Sequence, residues 1–203
     1  MQLLLWCLFC FLVNERKVVA VAAVIDHTED NIGVVAERLK KGEICAVPCD
    51  TIYGLSGIVT PHCSERIYEI KERPKSKSFI VLMTKEQVRN SSLIVPDDIL
   101  SLWPCPLTAI LASPDGTTTA VRVPSDSYLQ ALLPLTGPIY STSVNVSGSQ
   151  SLIMFDEIEK AFGDKLDFIV KDENVRGGMS STMVDATKKP YRIIRQGSYE
   201  FPL

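Results

Sequence analysis

Short β-branched runs alternate with stretches of helical periodicity along this chain, and that alternation confines it to an α/β architecture. Residues 18–25 are apolar without polar interruption, as in a buried strand. Ile32, Val35, Ala36 and Leu39 then recur at helical spacing. Asp26 and Glu29 are placed to form a capping box ahead of them, and Gly42 ends the helix. A short strand over 44–47 runs into a polar-aromatic loop over 48–55. Pro61 opens a helix that turns Ile67 and Ile70 inward and ends near Lys71. Further strands are predicted over 79–83, 107–112, 119–123, 139–142, 168–170, 183–186 and 192–195, and further helices over 96–103, 125–133 and 155–162. Ser113-Pro114-Asp115-Gly116 makes a turn between two of the strands. The 203 residues show no internal repeat, low-complexity tract or linker, so one domain is expected over 18–203, with no room for a second.

Residues 1–17 stand apart as an apolar extension. Up to Val13 they carry no charge, which fits an added strand, an early start codon, or a signal or anchor segment. The run lacks a basic leader and a small-residue cleavage site, and it is short for a membrane span. Glu15-Arg16-Lys17 separates it from the next apolar run. The expectation is therefore a cytoplasmic protein without stable membrane association. Six cysteines, two of them in the apolar run, do not form a disulfide framework, and reduced thiols fit better. Cys7-x-x-Cys10 and Cys45-x3-Cys49 lack the partner pairs of a zinc site, and only His27 and His62 exist to help. A net charge of −3 argues against a broad nucleic-acid-coating surface, so any such contact is local.

Two clusters bear on chemistry. Lys71-Glu72-Arg73-Pro74-Lys75-Ser76-Lys77 crowds positive charge at a helix end, and Ser143-Val144-Asn145-Val146-Ser147-Gly148 offers small polar groups and amides at the end of a strand. Cations and small donors together are what holds a polyphosphate. Each has a plainer reading: a solvated helix end for the first and an ordinary turn for the second. Pro74 stops the helix, so the cations are presented from a loop. In Asp50-Thr51-Ile52-Tyr53-Gly54, Thr51 is placed to bond a polar substrate and Tyr53 to wall a pocket, although a turn with a core tyrosine fits equally. Arg122 lies inside an apolar strand; it faces solvent, or, if the strand is central, it must meet an anion. Arg195 invites the same argument. The chain has no Gly-x4-Gly-Lys-Ser/Thr loop, no Gly-x-Gly-x-x-Gly and no nucleophile elbow. Asp97-Asp98 is a helix start rather than a metal pair. This inventory favours a site that works by positioning and charge stabilisation.

Taken in order, several segments resemble the YrdC-type threonylcarbamoyl-AMP synthase family, from about Gly42 to Gly197. They are Pro48-Cys49-Asp50-Thr51-Ile52-Tyr53-Gly54-Leu55, Lys71-Glu72-Arg73, Trp103-Pro104-Cys105-Pro106-Leu107-Thr108, Val121-Arg122-Val123-Pro124, Ser143-Val144-Asn145, Ser181-Thr182-Met183-Val184-Asp185 and Ile193-Ile194-Arg195-Gln196-Gly197. The resemblance implies a YrdC-like open twisted mixed sheet with flanking helices and a basic concave cavity. It implies a nucleotidyltransferase that makes L-threonylcarbamoyladenylate and pyrophosphate from L-threonine, bicarbonate or CO2, and ATP with Mg²⁺. The product would pass to a tRNA threonylcarbamoyl transferase for tRNA modification, with at most weak tRNA contact by this chain.

By motif position, Arg73, Lys77, Thr118, Ser143, Ser151 and Arg195 would contact ATP, helped by Lys71 and Asn145. Thr51, Arg122, Ser141 and Ser181 would hold L-threonine, Arg122 forking onto its carboxylate. Charge stabilisation falls to Lys71 and Arg73, with no distinct catalytic acid or base and no metal-ligating side chain. The chain departs from the family pattern at Cys49, Cys105, Ser78-Phe79 and Leu82, the last where some members place a histidine. Two other readings compete: a noncatalytic RNA-binding or ribosome-associated module, and a carbamoyl-transfer domain of the kind found in hydrogenase-maturation proteins.

Overall fold

The computed structural model describes residues 21–174 and 178–202. The first seventeen residues, read above as an extension, lie outside the described residues. The strands are β1 (Ala23–Asp26), β2 (Cys45–Val47), β3 (Gly54–Ile58), β4 (Ile80–Leu82), β5 (Leu107–Ala112), β6 (Thr118–Arg122), β7 (Ile139–Ser143), β8 (Phe168–Lys171), β9 (Thr182–Asp185) and β10 (Arg192–Arg195). The helices are α1 (Ile32–Lys40), α2 (Pro61–Lys71), α3 (Lys85–Arg89), α4 (Asp97–Leu102), α5 (Ser127–Thr136) and α6 (Phe155–Phe162). The strands form one open sheet in the order β1-β8-β2-β3-β7-β4-β6-β5-β9-β10. It is mixed: β8 runs parallel to β1 and β2, and β7 antiparallel to β3 and β4.

Strand alternation explains the layers. Cys45 and Val47 of β2 and Phe168 and Val170 of β8 face one core, built with Val35 and Leu39 of α1 and Leu129 and Leu132 of α5. The residues between them, Ala46 and Ile169, face a second core with Ile67 of α2 and Ile158 and Phe162 of α6. Helices therefore cover both faces of this half of the sheet. The other half packs β5 and β6 against Ile99 and Trp103 in a third core. Among the described residues no helix is long and apolar enough to cross a membrane.

Three expectations need correction. Residues 54–58 form a strand, β3, where a loop was expected as far as residue 55. Two glycines and a serine depress its strand propensity, but they are required there. A Cβ on Gly54 would lie 2.5 Å from Ser141 Oγ, and one on Gly57 would lie 2.6 Å from Ile44 Cδ1. The Asp26/Glu29 capping box does not form, because a 3-10 turn over Glu29–Asn31 intervenes before α1 and Thr28 caps it without a side-chain bond. The short helix α3 was not expected. Its five residues are too few to show a period, and a Thr84/Gln87 capping box starts it.

Candidate active site

A cleft of about 200 Å³ opens where the start of β3, the strands β6 and β7, the approach to β9, the end of β10 and the loop after α2 converge. Sheet register brings the pieces together. Ser141 of β7 lies between Ser56 of β3 and Ile80 of β4, and Arg122 of β6 lies between Leu82 of β4 and Thr108 of β5.

One wall is built around Arg122, which is only 4% exposed on an interior strand. Its charge meets the anion that burial demands. Nη2 pairs with Asp50 Oδ1, and Nη1 donates to Thr51 Oγ1 at 2.9 Å. Asp50 is held in turn, since its Oδ2 accepts from Ser125 Oγ at 2.8 Å and from Ser125 N at 3.2 Å. Arg122 Nε is buried without a partner. Beside it, Arg195 donates from Nη2 and Nε to the Ser181 carbonyl at 2.8 and 3.2 Å. Burial, and then the Arg122 charge, pull the Arg195 pKa below its usual value. Ser181 Oγ shares a 2.8 Å hydrogen bond with Thr108 Oγ1, so this corner is fixed by its own network.

The facing wall joins the two clusters. Lys71 closes α2, and Glu72 takes a left-handed φ of 50°. That turn sends Lys71 into the protein and leaves Arg73 lining the cleft. Lys71 is 1% exposed. Its Nζ donates to the Ser143 carbonyl, to Asn145 O at 2.9 Å and to Asn145 Oδ1 at 2.8 Å. Its own carbonyl accepts from Ser147 N at 2.9 Å. Burial, and secondarily Arg73, lower the Lys71 pKa to about 7, while three carbonyl acceptors call for the three donors of the ammonium form. Asn145 is tied into the wall as well: Oδ1 accepts from Ser143 Oγ at 2.7 Å, and Nδ2 donates to Ser149 O at 2.6 Å. Arg73 is oriented by its own loop. Nη2 donates to Ser78 O at 2.9 Å, Nε donates to Lys77 O at 3.2 Å, and the guanidinium sits 5.5 Å from the Phe79 ring centre.

The family model Sua5/YciO/YrdC, described as "Telomere recombination", matches residues 37–197. The chain belongs to the Sua5/YciO/YrdC family. It is 29% identical over 185 residues to the threonylcarbamoyl-AMP synthase of Pyrococcus abyssi, covering 83% of this chain and 54% of that protein. It is 29% identical over 186 residues to the threonylcarbamoyl-AMP synthase of Vibrio parahaemolyticus, covering 83% of this chain and all (100%) of that one. Its fold matches the crystal structure of Pyrococcus abyssi Sua5 complexed with L-threonine, with a TM-score of 0.77 and 27% identity over 87% of this chain and 57% of that chain. This chain thus spans about half of the Pyrococcus protein and the whole of the Vibrio one.

Measured against the family motifs, the structure brings Thr51, Arg122, Ser141 and Ser181 to the cleft together. Arg73, Ser143, Ser151 and Arg195 line it too. Lys71 and Asn145 lie behind the wall and spend their polar atoms on it. Lys77 and Thr118 do not line the cleft. Lys77 is exposed and its carbonyl accepts from Arg73 Nε and Tyr68 Oη, and Thr118 opens onto a separate groove beside Tyr68 and Phe79. Leu82 is buried in the first core, where it presents nothing polar to a substrate.

Sequence reasoning left Asp50 without a role, although an acidic residue beside Thr51 was the natural partner for a buried arginine. It also gave no role to Ser180 or to Met183, the apolar residue within the Ser181–Asp185 motif, although both line the cleft. Cys49 lines the cleft, but burial raises its thiol pKa to about 12, so it is no nucleophile at neutral pH. No carboxylate or imidazole is among the described lining residues. No group of three or more His, Cys, Asp or Glu among the described residues could hold a metal ion. Asp98 instead accepts from Tyr191 and pairs with Lys189.

Proposed function

We propose that this protein is an L-threonylcarbamoyladenylate synthase that uses L-threonine, bicarbonate or CO2, and ATP. The observation that carries the reading is the cleft itself: among the described residues, Arg73, Arg122 and Arg195 line it with serine and threonine hydroxyls and without a carboxylate or imidazole. Such a surface binds anions and neutralises charge as it develops. The Arg122 wall, with Thr51, Ser141 and Ser181, takes the amino acid. Arg73, Ser143, Ser151 and Arg195 take the triphosphate, and Lys71 and Asn145 hold that wall in shape. The enclosed volume, about 200 Å³, lies below the ~300–1,000 Å³ of whole small-molecule pockets. The amino acid and the reacting phosphate therefore sit inside, with the nucleoside toward the mouth.

The chemistry follows from that placement. Threonine nitrogen adds to CO2 and releases a proton to solvent, giving a carbamate. A carbamate oxygen attacks the α-phosphorus of ATP, and the bond to the bridging oxygen of pyrophosphate breaks. Arg73 and Arg195 stabilise charge on the phosphates. Mg²⁺ would enter with ATP and supply further neutralisation of phosphate charge. The product is consumed by a tRNA threonylcarbamoyl transferase in the cytoplasm. The direct test is to incubate the protein with ATP, Mg²⁺, bicarbonate and labelled threonine. Formation of threonylcarbamoyl-AMP and pyrophosphate is expected, and no threonine-dependent product alongside an active control would overturn the reading. In the same assay Arg73→Ala raises the KM for ATP about tenfold, as loss of a charge-assisted phosphate contact should.

A further inference from the structure

We infer that Asp50 is a positioning residue for the amino-acid site, acting through Arg122. Asp50 does not line the cleft, yet it fixes the side chain that does. One carboxylate oxygen pairs with Arg122 Nη2, and the other is held by the hydroxyl and the amide of Ser125. Thr51, the next residue, takes Nη1. Two adjacent residues of one loop therefore clamp the guanidinium plane from the same end. A planar group held at two nitrogens cannot rotate, so its remaining edge points one way. That edge carries Nε, which is buried and has no partner, on a residue only 4% exposed. An orphaned donor on a buried cation is costly unless a ligand completes it. Asp50 and Thr51 thus fix the plane in which the remaining guanidinium N–H groups of Arg122 meet the substrate carboxylate.

Asp50 also sets the charge of the site. Arg122 and Arg195 adjoin, and Arg122 lowers the Arg195 pKa. The Asp50 carboxylate paired to Arg122 offsets one of these two charges and so eases the repulsion between the amino-acid-binding Arg122 and the phosphate-binding Arg195.

This inference rests on the synthase reading, and its test separates the two. Asp50→Asn, Asp50→Glu and Ser125→Ala are assayed beside the unaltered protein, with KM for threonine and for ATP measured separately and circular dichroism recording the fold. If the unaltered protein makes threonylcarbamoyl-AMP, the functional reading stands and Asp50 can be judged. Asp50→Asn should then raise the KM for threonine about tenfold, equivalent to ~1.4 kcal/mol, with the KM for ATP changed less than about twofold. Asp50→Glu restores the charge and should recover most of that loss. Ser125→Ala removes one brace and should give a smaller shift of the same kind, a readout that survives if Asp50→Asn fails to fold. An unchanged or lower threonine KM in Asp50→Asn overturns the inference, because it would make Asp50 a bystander or a competitor of the substrate. Equal rises in both KM values overturn it too, since a general loss of shape would produce them.

Discussion

The two walls of the cleft each bury a cation, and they spend it differently. Lys71 gives its ammonium to three carbonyl oxygens of the strand end it packs on, which leaves nothing for a ligand. Arg122 gives two nitrogens to Asp50 and Thr51 and keeps Nε unmatched. The Lys71 wall is complete in itself and gives the site its shape. The Arg122 wall retains a buried donor that no described residue takes. Under the proposed function these two buried cations divide into a structural one, Lys71, and a binding one, Arg122.

The largest effect expected from this contrast is at Arg122. Arg122→Ala removes the amino-acid anchor and strands the Asp50 carboxylate, so kcat/KM for threonine should fall by about three orders of magnitude, or ~4 kcal/mol. Arg122→Lys should recover little, because an ammonium cannot span Asp50, Thr51 and a ligand as a fork does. Steady-state kinetics on variants shown by circular dichroism to be folded would check this, and near-normal turnover in Arg122→Lys would remove the distinction between the walls.

The matching change at Lys71 should act on stability first. Lys71→Met keeps the aliphatic length but leaves the carbonyls of Ser143 and Asn145 unsatisfied, at a cost of about 3 kcal/mol. Urea denaturation should show a lower midpoint at an unchanged slope. The pH dependence carries a further signature. Folding lowers the Lys71 pKa from 10.5 to about 7, so between those values the unfolded chain binds more protons than the native one. Stability contributed through this group therefore rises with pH from about 7 toward 10.5, and the full cost of charging a buried amine is present below 7. The Lys71 component of the slope should vanish in Lys71→Met, leaving the contribution of the buried thiols and tyrosines common to both proteins. An identical pH profile in both proteins would show that Lys71 keeps its ordinary pKa.

That contrast also marks how far the sequence could be read. The periodic elements were legible: α1, α2, α6 and β10 fall where spacing placed them, and the Arg122 strand is interior with an anion at hand. The gaps share a cause, which is that the deciding contact is remote. β3 is a strand because its glycines let neighbouring side chains approach, not because of its own propensity. The Asp50–Arg122 pair joins residues 72 apart. Lys71 sits in a motif full of exposed cations, and nothing local says that it alone turns inward. Lys77 shares its composition and ends outside the cleft, because Pro74 and the turn after it carry the loop away from the wall.

The smallest expected effect tests the hinge between inward Lys71 and outward Arg73. Glu72 is the only non-glycine with positive φ among the described residues. A left-handed conformation costs an L-residue with a Cβ roughly 1–2 kcal/mol, and glycine avoids that cost but loses more entropy on folding, about 0.5–1 kcal/mol. Glu72→Gly should therefore stabilise the protein by about 0.5–1 kcal/mol, read as a higher urea midpoint. Its activity is the more telling measurement. If the left-handed turn serves only to split the two cations between wall and cleft, glycine keeps that geometry and the KM for ATP stays within about twofold of the unaltered protein. A stabilised variant with weakened ATP binding would mean that the Glu72 side chain, and not just its backbone, holds Arg73 toward the cleft.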